Sequence, residues 1–211
     1  MRLLRSRYFR FYLERDRLAP AEPRLQFNKM SIRRELELFD GKHTEALERI
    51  LSSHRPTHSL IGSLITLAAN KEKNIQTGAT WLLKRLAENQ IHFTRRNLIA
   101  LFGSLPELTH WLSKLHICQM LQYVDIPKDS TDNIVWFLER NLMHENKFLR
   151  AWSYNGFYEL AKQHKNYLPL AIDHLERGET DSAASVRARI RNIRKAVNRL
   201  QKDLDGLALK D

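Results

Sequence analysis

Residues 146–164 read NKFLRAWSYNGFYELAKQH, and residues 181–194 read DSAASVRARIRNIR. In each stretch a polar turn leads to an apolar residue followed by Arg, and an apolar stripe then continues at helical spacing. The two apolar–Arg pairs, Leu149–Arg150 and Val186–Arg187, lie 37 residues apart. A phrase that returns after this interval is typical of a helical repeat array.

The same register continues toward the N-terminus. Twice the interval before Leu149 stands Ile75–Gln76, and the intermediate register falls near Trp111. The spacing within each stripe is helical rather than strand-like, because apolar residues return after three or four positions. The stripes of three copies are Ile75, Ala79, Leu82, Leu83 and Leu86; Leu149, Ser153, Gly156, Phe157 and Leu160; and Val186, Ile190, Ile193, Val197 and Leu200.

A second amphipathic helix is predicted before each phrase. These first helices cover residues 59–70, 95–105, 133–143 and 167–178, and a further helix over residues 43–53 precedes them. Neither helix of a pair can bury its apolar face alone, so neighbouring pairs have to stack. The pattern predicts an all-α, right-handed α-α solenoid of about four helix pairs.

Three regions follow from this organisation. We expect a basic N-terminal tail or helix with a linker over residues 1–34, the helical repeat domain over 35–204, and a C-terminal tail over 205–211. No apolar run approaches the ~18 residues that a membrane span needs. The single cysteine, Cys118, sits in an apolar helical context and excludes an internal disulfide, which favours a reducing, cytoplasmic environment.

The chain resembles HEAT-repeat proteins over roughly residues 43–200, and the phrases FLRAW and SVRARIRNI carry the resemblance. In that family the Arg that opens the second helix pairs with carboxylates or carbonyls of the turn and forms a ladder along the stack. The resemblance implies Arg150 with Glu145 and Arg187 with Asp181. Gln76 and Ser113 depart from the pattern, so the implied ladder is interrupted in the first half of the chain.

The net charge of +11 is concentrated at the two ends of the chain. Residues 1–34 hold 10 Lys/Arg against 3 Asp/Glu, residues 186–211 hold 8 against 3, and residues 35–185 hold 17 against 18. Basic ends attract nucleic acid, anionic lipid or acidic protein over long range. A solvated surface without a partner is the competing interpretation.

The second helices of a solenoid line its concave face, so their non-core positions are the candidate binding surface. Arg187, Arg191, Arg194 and Lys195 step along one side of the last helix as a basic stripe. Such a stripe can contact phosphates, although a terminal helix also needs a polar outer face. The candidate residues are Trp81, Lys84, Arg85, Trp111, Lys114, Trp152, Tyr154, Asn155, Tyr158, Arg189, Arg191, Arg194, Lys195 and Arg199.

We expect a non-enzymatic adaptor that binds a protein partner on the concave face and carries no cofactor or metal. Nucleic-acid binding is the alternative. At its enzymatic extreme the chain would be similar to the HEAT-like bacterial alkylpurine DNA glycosylases, whose cleft combines tryptophans with a carboxylate. Near the centres of predicted helices stand Trp81, Trp111, Trp136 and Trp152, but the second helices offer only Glu88 and Glu159 as acids.

Overall fold

A computed structural model describes residues 31–208, with side chains for residues 31–202. Over this range the chain is helical and contains no strand, so the predicted all-α class is confirmed. The predicted N-terminal tail lies outside the described residues up to residue 30. The helices are α1 Ile32–Glu37, α2 Thr44–Ser53, α3 His58–Ala68, α4 Lys73–Glu88, α5 Arg95–Gly103, α6 Trp111–Met120, α7 Thr131–Leu142, α8 Lys147–Gln163, α9 Leu168–Arg177 and α10 Ala184–Ala208.

The ends of the domain differ from the predicted boundaries. The short helix α1 begins inside the expected tail and places Leu36 in the core against α4. At the other end α10 continues through residue 204 to Ala208 without a break. Both helices therefore belong to the folded unit.

Side-chain caps fix the start of several helices. Thr57 accepts a hydrogen bond from the Leu60 amide, and Thr94, 37 residues later, forms a capping box with Asn97. Asn146 accepts from two amides at the start of α8. Because such caps satisfy amides that have no partner inside the helix, they place the helix starts at defined registers.

The second helices pack in chain order. Helix α4 contacts α6, α6 contacts α8, and α8 contacts α10. The first helices α3, α5 and α7 contact one another in the same order, and α3, α7 and α9 also pack against the second helix that follows them. The core thus lies between two rows of helices, and the second helices form one of these rows.

Leucines mark the repeat in the first helices. At intervals of 37 residues stand Leu64, Leu101, Leu138 and Leu175, and none of them is more than 1% exposed. The interval inferred from the second helices therefore also governs their partners. All four leucines belong to the buried core.

A buried amide joins α4 to the next turn. The Gln76 side chain donates from Nε2 to the carbonyls of Asn70 and Glu107, at 2.9 and 3.1 Å. Its Oε1 accepts from the amides of Thr109 and His110, both at 3.0 Å. Gln76 thus holds two turns together, whereas the buried Ser113 hydroxyl makes no hydrogen bond within the described residues, so the expected interruption is found at Ser113 but not at Gln76.

Arg150 and Arg187 also donate hydrogen bonds to the turns beside their helices, but to different partners from those of Gln76. Like Gln76, each donates to the carbonyl six residues before it, on His144 and Asp181 respectively. The Asp181 carboxylate, however, binds Arg150 rather than Arg187, while Arg150 meets only the backbone carbonyl of Glu145. Both implied pairs are therefore present through backbone carbonyls, and the Asp181 carboxylate additionally joins Arg150 to the next turn.

Candidate binding surface

Most predicted surface residues lie on the sides of the second helices that the core leaves accessible. Three of them are exposed, Arg191, Lys195 and Arg199, and one is buried, Tyr154. The others are half-buried: Trp81, Lys84, Arg85, Trp111, Lys114, Trp152, Asn155, Tyr158, Arg189 and Arg194.

Tyr154 was expected at a non-core position, and that expectation is wrong, because its side chain is only 6% exposed. Its phenol lies over Gly178, where an added Cβ would come within 2.5 Å of the phenolic oxygen. Burial raises the pKa of Tyr154. The residue faces the next helix pair, so it belongs to the packing between pairs rather than to a binding surface.

The α4 part of the surface is a cluster of charges around Trp81. The Arg85 guanidinium lies 5.6 Å from the centroid of the Trp81 ring and binds Glu88 at 2.7 Å and Glu48 at 3.0 Å. Lys84 reaches the other oxygen of Glu88 at 2.9 Å. Although burial opposes ionisation, the hydrogen bonds from Arg85 and Lys84 lower the pKa of Glu88. The cations here are therefore already neutralised by carboxylates.

Aromatic rings on α8 also carry cations. The Arg189 guanidinium of α10 lies 4.2 Å from the centroid of Trp152, and burial lowers the pKa of Arg189. The Lys162 ammonium lies 5.7 Å from the centroid of Tyr158 and forms an ion pair with the buried carboxylate of Glu159. These contacts leave aromatic edges and mixed charges at the surface.

Helix α6 contributes a cation of another kind. Burial and the nearby charge of Arg140 lower the pKa of Lys114, and no carboxylate within the described residues forms an ion pair with it.

Trp111, expected near a helix centre, is the first residue of α6 and lies 6.0 Å from the His110 ring. Trp136 lies on the first helix α7 and is 42% exposed, so the four tryptophans do not share one row of helices.

A cleft of about 500 Å³ opens where the chain leaves α4, α6 and α8. Gln90, with a φ of 60°, reverses the chain after α4 at its edge. Burial and the charges of Glu88 and Glu159 raise the pKa of the cleft residue Tyr123, which places this cleft beside the charged surface. Its lining includes Gln90, Ile91, Phe93, Tyr123, Lys162 and Gln163.

The basic residues of α10 divide into two groups. Arg187 donates to turn carbonyls, and Arg194 binds Glu179 at 2.6 Å, so neither is free for an external anion. Arg191 and Lys195 are exposed, and the same side of the helix continues with Arg199 and Lys202. The predicted stripe therefore loses Arg187 and Arg194 and gains Arg199 and Lys202, and the spacing of three residues between the last two could have indicated Lys202.

The site prediction also missed Glu48 of α2, which contributes a carboxylate to the α4 cluster. Glu48 lies 37 residues before Arg85, so the repeat interval held the signal for this pair. Most of the cleft residues had no comparable signal, because they lie between helices, although Lys162 and Gln163 stand at the end of α8.

No family model, curated protein or solved structure matches this chain. Within residues 31–208, every helix is too short or too polar to cross a bilayer. The same part of the chain contains no cluster of three or more His, Cys, Asp or Glu side chains that could hold a metal ion.

Proposed function

We propose that this chain is a HEAT-like helical solenoid that acts as a non-enzymatic adaptor and binds a protein partner on the row of second helices. The packing order supports the architecture, because each second helix contacts the next one and equivalent core residues return every 37 residues. Helix pairs stacked in this order form extended binding surfaces. The binding surface comprises the accessible sides of α4, α6 and α8.

The charges of this surface are mostly paired with one another, which favours a protein partner over nucleic acid. Lys84 and Arg85 are neutralised by carboxylates, and Lys162 is neutralised by Glu159. A surface that tracks a phosphate backbone depends on cations that are free to replace counterions. Half-buried Trp, Tyr and Arg side chains, in contrast, are the residues that dominate protein interfaces.

The surface also indicates the chemistry of the partner. The cleft beside Tyr123 is large enough to accept an apolar or aromatic anchor side chain. The ammonium of Lys114, which pairs with no carboxylate among residues 31–202, provides a place for a carboxylate. A partner segment with one such anchor and an acidic residue fits this arrangement.

Affinity capture from nuclease-treated lysate tests the proposal. We expect the wild-type chain to retain a partner protein, Lys114→Glu to lose it, and Ser63→Glu on the exposed side of α3 to keep it. The far-ultraviolet circular dichroism of both variants has to match that of the wild type. Capture that is unaffected by Lys114→Glu, or that disappears with nuclease, would contradict the proposal.

A photo-crosslinker locates the contact more directly. With benzoylphenylalanine in place of Asn155, the captured partner should become covalently attached on irradiation. The same group in place of Ser63 serves as the matched control and should give no adduct. Equal adducts from both positions would show that the partner does not use the second helices.

A further inference from the structure

Helix α10 differs from the other second helices on the side that would face a further helix pair. At one repeat position stand Thr80, Ile117 and Tyr154, all buried where one helix pair meets the next. Thr80 Oγ1, for example, lies 3.1 Å from His116 Nδ1 of α6. The equivalent residue of α10 is Arg191, which is exposed.

A second position shows the same change. The buried residues Ala87, Val124 and Ala161 are followed at the next interval by Asn198, which is exposed. The side of α10 that would face another helix pair is therefore polar. This side forms an end face of the described helices, distinct from the surface of α4, α6 and α8.

Up to residue 202, where the described side chains end, the charged side chains of the end face are all cations. Four side chains spaced four, four and three residues apart share it: Arg191, Lys195, Arg199 and Lys202. No carboxylate of the described residues forms an ion pair with any of them, in contrast to Arg194. From residue 182 to residue 202 there are 7 Lys/Arg and no Asp or Glu.

A solubilising cap alone does not account for this composition. A terminal helix needs a polar outer face, and alternating charges or amides supply one. Like charges four residues apart on a helix repel each other and destabilise it. An unbroken positive stripe therefore points to an anionic partner that neutralises it.

We propose that this stripe binds the phosphate backbone of nucleic acid without regard to sequence. Its four cations span about 16 Å of a straight helix, since each residue advances by 1.5 Å. A duplex strand presents a phosphate about every 3.4 Å along its axis, so several phosphates lie within reach. The exposed amides of Asn192 and Asn198 flank the stripe and add hydrogen-bond donors for phosphate oxygens.

Other anionic surfaces fit the stripe less well. A helix that binds a bilayer needs apolar residues beside its cations, whereas the stripe is flanked by Asn192 and Asn198. A protein interface needs buried apolar anchors, and the stripe supplies none. The proposal does not depend on a protein partner for the second helices, since the two surfaces share no residue of the stripe.

Fluorescence anisotropy with a labelled 20-base-pair duplex of arbitrary sequence tests this proposal over about 25–200 mM KCl. The stripe variant carries Arg191→Gln, Lys195→Gln, Arg199→Gln and Lys202→Gln. The control carries Lys71→Gln, Lys73→Gln, Arg96→Gln and Lys128→Gln, which removes the same net charge from exposed positions elsewhere. Thermal melts monitored by circular dichroism verify that both variants are folded.

We expect the stripe variant to bind at least about tenfold more weakly and to reduce the log–log salt slope by about 3.6, which is 0.9 for each of four lost phosphate contacts. The control should keep both values. Absence of duplex binding by the wild type at 25 mM KCl, or equal loss in both variants, would overturn the proposal. Stripe-dependent binding to phosphatidylserine vesicles without binding to the duplex would assign the end face to membranes instead.

Discussion

Arg150 binds both carboxylate oxygens of Asp181, which lies 31 residues further along the chain, through Nε at 2.7 Å and Nη2 at 2.8 Å. The Asp181 side chain is only 8% exposed. The same guanidinium donates to the carbonyls of His144 and Glu145 at 2.8 Å each. One side chain thus joins the turn of its own helix pair to the turn of the next.

Arg150→Gln should lower the free energy of unfolding by about 3–5 kcal/mol, because a nearly buried carboxylate is left without its cation. Urea denaturation at pH 7 measures the change. The double variant Arg150→Gln with Asp181→Asn should recover part of the loss, since no charge then remains unpaired. If the single and double variants are equally unstable, the ion pair does not account for the effect.

The same pair predicts a response to acid. The hydrogen bond from Arg150 lowers the pKa of Asp181, so the folded state favours the ionised carboxylate. The stabilisation is complete above the unfolded pKa of about 3.9 and is lost as the pH falls below it. Urea midpoints of the wild type and the double variant should therefore converge below about pH 4. A constant difference between them down to pH 2 would contradict the prediction.

His116 predicts a second pH dependence at less acidic values. Burial lowers its pKa to about 3, whereas the unfolded chain titrates near 6.5. Between these values the unfolded state binds more protons, so stability should fall by up to about 1.4 kcal/mol per pH unit as the pH decreases. His116→Gln should flatten the dependence of the unfolding free energy between pH 6 and 4. An unchanged slope would assign it to other groups.

Truncation of the repeated core tests the assignment of helix faces. Leu160→Ala and Ile193→Ala should each cost about 2–5 kcal/mol, because both side chains are buried and leave a cavity. Ser63→Ala on the exposed side of α3 should leave the unfolding free energy nearly unchanged. A melting temperature that stays constant in Leu160→Ala would show that α8 presents another face to the core.

Two helical glycines give a prediction with opposite signs. An added Cβ at Gly62 of α3 meets nothing within 4 Å, so Gly62→Ala should stabilise the protein by about 0.5–1 kcal/mol. At Gly156 of α8 the Cβ would come within 2.6 Å of Leu138, so Gly156→Ala should destabilise it. Differential scanning calorimetry should show melting temperatures displaced in opposite directions. Equal displacement of both would contradict the close packing of α7 on α8.

The sequence predicted the helices more reliably than the contacts between them. Apolar spacing and the apolar–Arg phrase fixed the register of the helix pairs, because burial acts on every copy in the same way. The apolar–Arg pattern predicts a gap in the ladder at Gln76, because the pattern is defined by a charge, whereas this amide makes equivalent hydrogen bonds. The apolar stripe of α8 predicts that Tyr154 lies at the surface, but its side chain is buried, because the stripe does not reveal which side of a helix meets the next helix pair.

The sequence predicted which helices carry the candidate side chains, but not which of their charges are paired. The aromatic and basic side chains do lie on the second helices, but Arg85 binds Glu48, a partner from another helix pair. Arg194 likewise binds Glu179 and leaves the predicted stripe. Pairings across turns depend on distances in the folded chain, so spacing alone could not separate occupied cations from free ones.

The exposed Arg191 and Asn198 also limit how this molecule could grow. A new helix pair appended after α10 would meet polar and charged side chains and no apolar residues on which to pack. A duplicated 37-residue segment inserted between α6 and α8, in contrast, would meet apolar packing surfaces on both sides. Longer forms of this architecture should therefore arise by internal duplication rather than by extension at the C-terminal end.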